Sequence, residues 1–443
     1  MIPALLLVLL LFGPAPAAAQ TFTRGQWTQW GSGTYNSAVW RSTGTATIRD
    51  GSTIPNGTQL GSFIGRRGSS ESGFDAWVTS VWDTTRNQMM VCCGTGDQAW
   101  TTNEVNVFDL ATGTWNPDGR PMDPTTQLFE KTGITWPVGT FVGDNRAPVA
   151  LIDNLGVYPT NALLDPAGSQ RLYPNGRQHY GGFVYMPTVQ RFFMWGGFGW
   201  WLSGSGSSYP WEWDPVAKKW QAQTLDIPRG ENIPMPSCAW DSTNSRVLCF
   251  TSNSKLYAYT PGNAQGSRMA GVSPNLSDVL SYSNSTINYA QLAYDSRRQH
   301  AVMFGGQLGC VLFDMANPRA GKISACTMRG DTGWIGQNGP GVLYDPVADL
   351  FVAWLGGKTL YKIDPGTFVS TAFTPGSGVT PTMPTLSSST GGVWNRFAYI
   401  PAYDVYVTIG HAGDAGAYIF APVRTTVSAA PGRLPELAPT EPR

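Results

Sequence analysis

The segment LAYDSRRQHAVMFGG at residues 292–306 shows the pattern that decides the fold. Two apolar runs, LAY and AVMF, flank a polar turn that begins with Asp, which is typical of a β-hairpin. In every copy of this pattern the second strand ends nine residues after the first turn residue, as Cys92 does after Asp83. The other copies are VTSVWDTTRNQMMVCCG from Val78, FVYMPTVQRFFMWGG from Phe183, CAWDSTNSRVLCF from Cys238, VLYDPVADLFVAWLGG from Val342 and FAYIPAYDVYVTIGH from Phe397.

A further apolar strand follows the hairpins and ends in Asp or a small residue. It reads NVFD, ALLD, WEWD, YAYT, VLFD, YKID and YIFA, ending at Asp109, Asp165, Asp214, Thr260, Asp314, Asp364 and Ala421. Steps of 46 to 57 residues between these ends indicate an internal repeat of about 50 residues. Seven such strands predict seven units, and the hairpin of the unit at Asp165 is expected within TGITWPVGTFVGDNRAPVALID.

Repeats in which Gly-Gly often follows the second strand, with an apolar strand, Asp and sometimes Trp behind it, resemble the kelch repeat. The likeness covers roughly residues 75–425 and implies an all-β, seven-bladed kelch-like β-propeller of four-stranded antiparallel blades. Seven kelch-type blades are also the arrangement of the galactose oxidase central domain. The last unit lacks an obvious fourth strand, so the early segment QWTQWGS, from Gln26, is expected to supply it and close the ring. The kelch motif says almost nothing about function.

The two ends of the chain differ in composition from the repeat region. Residues 1–19 hold an apolar run and a small-residue stretch typical of a signal peptide, so the mature chain is expected to begin near Gln20. The alternative is an uncleaved membrane anchor. Residues 20–428 are predicted to form one propeller, and the Pro-rich tail at 429–443 is predicted to be disordered. A secreted or periplasmic location follows.

The composition excludes some partners. With 52 Gly, 33 Pro and 13% charged residues, long helices are disfavoured. Lys and Arg equal Asp and Glu at 29 each, which gives no electrostatic case for binding nucleic acid. After removal of the leader no run is long enough to cross a bilayer. A monomer is expected.

Six cysteines in an exported chain are expected to form disulfides. Cys238 and Cys249 lie symmetrically about a hairpin turn, which predicts a cross-strand bridge. Cys310 and Cys326 bracket a second turn and are predicted to pair likewise. Cys92 and its neighbour Cys93 are then either free or joined as a vicinal disulfide. The absence of CxxC spacing argues against zinc, and no metal or other cofactor is predicted.

One mouth of the ring is the expected ligand site, because loops entering the first strands and leaving the second strands share one rim. Several polar and aromatic residues are predicted to lie there. They are Arg177, His179, Tyr180, Asn288, Asn338, Arg329, Asp331 and His411, with Trp100, Trp200 and Trp201 on the longest loops. Aromatic rings beside amide and charged groups suit sugars, so a propeller that binds a carbohydrate or a protein is the favoured interpretation.

Enzymatic alternatives rest on the same rim. Arg177, His179 and Tyr180 have the chemistry of a polysaccharide lyase, which neutralises a uronate carboxylate and removes the adjacent proton. A copper oxidase of the galactose oxidase type is disfavoured because no matching His and Tyr motif occurs. The tripeptide Arg-Gly-Asp at Arg329 matches an integrin-binding sequence, but so short a match arises easily by chance.

Overall fold

The coordinates are a computed structural model of the chain. The structure describes residues 22–31, 46–47, 53–54, 79–92, 105–115, 162–164, 171–174, 179–197, 210–217, 219–222, 235–251, 255–262, 269–271, 289–305, 309–316, 323–337, 339–382, 392–409 and 416–424. Within these ranges, no helix is long and apolar enough to cross a membrane. The predicted signal peptide and the Pro-rich tail lie outside them.

In four of the six hairpins an Asp caps the turn. The Oδ1 atom of Asp295 accepts hydrogen bonds from the backbone amides of Arg297 and Arg298, at 2.9 and 3.1 Å. The turn then closes through Gln299, whose φ of +55° is left-handed. Asp83 and Asp345 cap their turns in the same way. In these four hairpins the sequence repeat is therefore a repeat of side-chain-capped turns, a role for which a short carboxylate is suited.

Twenty-nine strands are present in the described residues, together with a short 3-10 helix, Trp394–Arg396. In chain order the strands are β1 Trp27–Trp30, β2 Ala46–Thr47, β3 Thr53–Ile54, β4 Ser80–Asp83, β5 Gln88–Cys92, β6 Val105–Asp109, β7 Thr114–Trp115, β8 Ala162–Leu164, β9 Arg171–Pro174, β10 Phe183–Met186, β11 Arg191–Met194, β12 Trp211–Asp214, β13 Lys219–Ala222, β14 Ser237–Asp241, β15 Arg246–Phe250, β16 Leu256–Tyr259, β17 Met269–Gly271, β18 Ala290–Asp295, β19 His300–Gly305, β20 Cys310–Asp314, β21 Ile323–Ala325, β22 Arg329–Gly330, β23 Gly341–Asp345, β24 Leu350–Trp354, β25 Leu360–Ile363, β26 Val369–Phe373, β27 Ala398–Ile400, β28 Val405–Thr408 and β29 Ala417–Phe420.

Six antiparallel sheets form the blades of a β-propeller. Blades 1 to 4 are β4–β7, β10–β13, β14–β17 and β18–β21, each in sequential order. Blade 5 is β23–β26 with β22 added in parallel at its outer edge, and blade 6 is β27–β29 with β1. The N-terminal strand β1 pairs antiparallel with β29, so that Trp27 lies opposite Phe420 and Trp30 opposite Ala417. An all-β propeller with four-stranded antiparallel blades is thus the observed architecture.

The prediction of seven blades is wrong. The first strands of successive blades contact one another in a circle from β4 through β10, β14, β18, β23 and β27, and β27 contacts β4 again. A seventh blade has no place between them. The apolar strand that ends before Asp165 is β8, which forms a separate two-stranded sheet with β9, and β9 lies beside β13 at the outside of blade 2. A short apolar strand followed by Asp is therefore not sufficient to identify a blade. The segment expected to hold the seventh hairpin lies outside the described residues.

Six apolar layers between the blades form the core. Because side chains alternate along a strand, each middle strand serves two layers. In blade 4, Ala301 and Met303 pack toward blade 3, whereas Val302 and Phe304 pack toward blade 5. The six layers join consecutive blades and close between blade 6 and blade 1. Face-to-face packing of this kind explains why a single 50-residue unit could not fold by itself.

Ion pairs also link neighbouring blades on the face that carries the hairpin turns. Arg298 of blade 4 donates to both carboxylate oxygens of Asp349 in blade 5, at 2.7 and 2.9 Å, and to Asp295 of its own blade at 2.9 Å. The Tyr344 hydroxyl donates to Asp349 at 2.7 Å. In the same way Arg424 joins Asp345 of blade 5 to Asp404 of blade 6.

The Arg298–Asp349 link should make stability depend on acidity. Hydrogen bonds from Arg298 and Tyr344 lower the pKa of Asp349 to about 2. Because the folded-state pKa lies below the unfolded value of about 3.9, the contribution is complete above pH 4 and is lost as the pH falls toward 2. Asp349 is partly exposed, so Asp349→Asn should lower the free energy of unfolding at pH 7 by only about 1 kcal/mol.

Urea unfolding between pH 7 and pH 2 measures this effect. The difference between the wild-type protein and Asp349→Asn should shrink across pH 4 to 2. Asp314→Asn is the control, because the Asp314 carboxylate accepts a bond from the Ala316 amide within its own turn. A difference for Asp349→Asn that is constant with pH would contradict the prediction.

Candidate functional site

One repeat position brings residues of different blades together at the axis. It lies six residues before the first residue of each hairpin turn, in the loop that enters the innermost strand. In blades 2 to 6 this position is occupied by Tyr180, Met235, Tyr289, Gly339 and Trp394. The corresponding residue of blade 1, Trp77, lies outside the described residues. Loops entering the first strands therefore do converge on one rim.

Four of these side chains pack on each other in what we call the axial aromatic cluster: Tyr180, Met235, Tyr289 and Trp394. The ring of Tyr180 lies 5.5 Å from that of Trp394, edge to face, and 6.1 Å from that of Tyr289. Tyr180 and Trp394 are buried, whereas Met235 and Tyr289 are half-buried. The three rings come from blades 2, 4 and 6, so they meet across the axis rather than between neighbours.

At this position blade 5 has a glycine instead of an aromatic side chain. A Cβ atom built on Gly339 would lie 2.5 Å from the Trp394 ring, so glycine is the residue that lets the indole lie there. The φ of Gly339 is +56°, and its amide donates to the Tyr289 carbonyl oxygen at 2.7 Å. The Gly339 carbonyl oxygen in turn accepts from the amides of Val393 and Trp394.

The backbone is strained at all three aromatic residues. Tyr180, Tyr289 and Trp394 have φ values of +48°, +71° and +40°. Bulky residues rarely adopt such angles, and each instance costs on the order of 1–3 kcal/mol. The other seven non-glycine residues with positive φ lie in hairpin turns, where one left-handed residue is regular. The three axial residues are bulky, and Tyr180 adopts its angle in a turn that the Gly182 amide closes on the His179 carbonyl oxygen at 2.7 Å, a position where Gly or Asn would be favoured.

Two amide side chains lie next to the axial aromatic cluster in sequence and join four blades. The Asn395 Nδ2 atom of blade 6 donates to the carbonyl oxygens of Phe183 at 2.8 Å and Gly181 at 3.2 Å in blade 2, and approaches that of Cys238 in blade 3. Its Oδ1 atom accepts from the Nε2 atom of Gln291 in blade 4, at 2.6 Å. We call Asn395 and Gln291 the axial amide pair.

One acceptor of the axial amide pair is unsatisfied. Gln291 is fully buried, and within the described part of the chain its Oε1 atom has no hydrogen-bond partner. The hydroxyls of Ser80 and Thr408, both at 0% exposure, are in the same condition. A buried polar atom without a partner costs about 1–3 kcal/mol. Backbone strain and an unsatisfied acceptor therefore occur at neighbouring positions of the same loops.

The sequence-predicted residues have different environments. His179 is fully buried, and its Nε2 atom lies 2.8 Å from the Cys92 carbonyl oxygen. Tyr180 belongs to the axial aromatic cluster. Arg329 lies in β22 on the outer edge of blade 5, and Asp331 follows it and accepts the Ala372 amide at 2.7 Å, so both lie apart from the cluster. The other candidates lie outside the described residues: Arg177, Asn288, Asn338, His411, Trp100, Trp200 and Trp201.

Both predicted disulfides are confirmed. Cys238 and Cys249 are bonded across β14 and β15, where the register places them opposite each other. Cys310 is bonded to Cys326, just beyond β21. Cys92 is also disulfide-bonded, and Cys93 lies outside the described residues. In the part of the chain that can be assessed, no three His, Cys, Asp or Glu side chains are grouped to hold a metal ion.

Comparison with known proteins adds little to this geometry. No protein-family model matches the chain. No curated protein matches it either. A structural genomics protein of unknown function from Bacteroides thetaiotaomicron VPI-5482 is similar in structure, with a TM-score of 0.44 and 11% identity over 89% of this chain and 76% of that one. A likeness of this degree carries no conclusion about family or function.

The position predicted from the sequence lies one residue before the position that carries most of the axial residues. It lies seven residues before the hairpin turn and holds His179, Asn288 and Asn338. The next position along carries the axial aromatic cluster, and the one or two after it carry Asn395 and Gln291. A usable signal was present, since Tyr180, Tyr289 and Trp394 recur at one register, where a turn would favour Gly or Asn.

Proposed function

We propose that this protein binds a carbohydrate at the axial mouth of the propeller. The observation that carries the proposal is the axial aromatic cluster, in which three aromatic residues with strained backbones meet from three different blades. Strain of this kind persists where the surrounding structure enforces it, and it concentrates at functional sites. Binding pockets likewise combine apolar and aromatic walls with a few convergent polar groups.

The chemistry of the cluster favours a neutral sugar. Tyr289 and Met235 offer an apolar, half-buried surface on which the C–H face of a pyranose can stack. The axial amide pair supplies one acceptor for a hydroxyl group, the Gln291 Oε1 atom, which has no partner among the described residues. Neither the cluster nor the pair contains a charged side chain, so a strongly charged partner would find no counter-ion among them.

The lyase alternative receives no support from the described geometry. A general base must come within hydrogen-bond reach of the proton that it removes. His179 is fully buried, with its Nε2 atom directed at the Cys92 carbonyl oxygen. An imidazole in that position serves the contact between blades 1 and 2, and we do not propose elimination chemistry.

We also propose that the protein is exported, that it is related to kelch repeats and that its N-terminal strand closes the ring. Two disulfides support export to an oxidising compartment. Kinship with kelch repeats is supported by four-stranded blades of about 50 residues, and is weakened by the count of six blades. The pairing of β1 with β29 supports a ring held closed by the N-terminal strand.

Glycan binding tests the proposed function. The purified mature protein, screened against a panel of neutral and uronate-containing polysaccharides, should bind a neutral one. Tyr289→Ala should weaken that binding at least about tenfold by removing the half-buried ring, which corresponds to about 1.4 kcal/mol. Tyr403→Ala is the matched control, because Tyr403 is a half-buried tyrosine in a hairpin turn on the opposite face. No binding to any glycan, or equal loss in both variants, would refute the proposal.

A further inference from the structure

We infer that the bound sugar donates one hydroxyl to the Oε1 atom of Gln291, so that the propeller recognises the end of a glycan rather than its middle. This inference rests on the proposed function. The axial aromatic cluster is the surface for stacking, and Gln291 beside it is the acceptor that the ligand satisfies.

The side chain of Gln291 is held in one orientation. Its Nε2 atom donates to Asn395 Oδ1 at 2.6 Å and to the Leu292 carbonyl oxygen at 2.9 Å. With the nitrogen committed twice, the oxygen is directed away from both partners. Since Gln291 is 0% exposed and its Oε1 atom has no partner in the described part of the chain, an incoming donor would recover the free-energy cost of the unsatisfied acceptor.

The oxygen lies near the centre of the ring. A Cβ atom built on Gly181 of blade 2 would be 3.3 Å from Gln291 Oε1 and 3.1 Å from the Ser237 hydroxyl of blade 3. Gln291 itself belongs to blade 4, so three blades approach one point. Glycine at position 181 keeps its own side chain away from both oxygens, whereas any larger residue would come close to them.

A hydroxyl is the donor that fits this point best. An ammonium group would require a carboxylate nearby, and the axial aromatic cluster, the axial amide pair and Ser237 contain none. A hydroxyl is an uncharged donor and needs only one acceptor.

This geometry has a consequence for ligand size. The other two aromatic rings lie within 6.1 Å of the Tyr180 ring, so the cluster is comparable to one sugar ring rather than to an extended chain. A hydroxyl that must reach the axis belongs to a sugar entering end-on. A simple glycoside should therefore bind about as well as a polymer that ends in the same sugar.

Monodeoxyfluoro sugars test the inference on the intact protein. The probes are the methyl pyranosides of glucose, galactose and mannose, each with its series of analogues in which one hydroxyl is replaced by fluorine. Fluorine keeps the approximate size but cannot donate. For the glycoside that binds, one substituted position should weaken binding at least tenfold, and the remaining positions should stay within about threefold.

Gln291→Met links that position to the proposed acceptor. In this variant the parent glycoside and the critical deoxyfluoro analogue should bind equally, because the acceptor has gone. If Gln291→Met does not fold, a crystal structure of the wild-type complex serves instead and should show a sugar oxygen within hydrogen-bond distance of Gln291 Oε1.

The outcomes separate this inference from the proposed function. If neutral polymers bind but simple glycosides do not, or if all fluorinated positions bind alike, end-on recognition through Gln291 is wrong and glycan binding stands. A complex in which only a water molecule contacts Gln291 Oε1 would likewise show that end-on recognition is wrong, while glycan binding stands. If neither polymers nor glycosides bind, both proposals fail.

Discussion

Replacing Trp27 with alanine is expected to lower the free energy of unfolding by about 4 kcal/mol, which is typical of deleting a buried aromatic side chain. Trp27 is 1% exposed and packs against Trp354 of blade 5 and Phe420 of blade 6, with ring centroids 5.7 and 5.4 Å away. Its indole nitrogen donates to the Lys358 carbonyl oxygen at 3.0 Å. One side chain of the N-terminal strand therefore joins two blades.

The neighbouring residue on the same strand provides the control for Trp27. Gln29 also pairs within β1, but its side chain is exposed, so Gln29→Ala should change stability by less than about 0.5 kcal/mol. Urea unfolding followed by tryptophan fluorescence and circular dichroism measures both variants. Should Trp27→Ala unfold at the same urea concentration as Gln29→Ala, the N-terminal strand does not hold the ring closed.

The second large effect is expected at the centre of the ring, where Asn395→Ala should lower the free energy of unfolding by roughly 3 kcal/mol. The substitution removes the donor to the Phe183 carbonyl oxygen and the acceptor used by Gln291, whereas the Gly181 carbonyl oxygen keeps its bond from the Cys238 amide at 2.9 Å. Leaving such partly buried groups without partners costs about 1–3 kcal/mol each, and they belong to one network.

Asn244 offers a matched asparagine for that experiment. It is exposed in a hairpin turn, where its amide donates to Asp241 at 2.9 Å within the same blade. Asn244→Ala should cost less than about 1 kcal/mol, because water can replace the lost bond. Equal unfolding midpoints for Asn395→Ala and Asn244→Ala would mean that the contacts of Asn395 across the axis contribute little.

The local pattern of the sequence was sufficient to predict the six observed hairpins and both cross-linked cysteine pairs. Alternating apolar residues and a capping Asp are short-range signals, and Asp83 and Asp295 act within three residues of themselves. Cys238 and Cys249 could be paired because a hairpin register is determined by its own turn. The residues that form these features are close to one another both in the sequence and in space.

The number of blades could not be counted from the repeat. The strand before Asp165 has the same short pattern as a blade strand, yet it pairs only with β9 beside blade 2. Whether a strand joins the ring depends on which neighbours its two faces can cover. Closure also depends on the twist and packing of all the blades together, and no single segment encodes it.

The candidate site likewise has one feature that the sequence predicts and others that only the tertiary structure shows. The amino-acid sequence by itself determined that loops before the first strands would share a rim, because strand direction follows from the hairpin order. Only the tertiary structure decided that Tyr180, Tyr289 and Trp394 meet on the axis, and that Asn395 joins blades 2, 3, 4 and 6. These residues are more than a hundred positions apart at the extremes, and contacts across the axis exist only after the blades have closed into a ring.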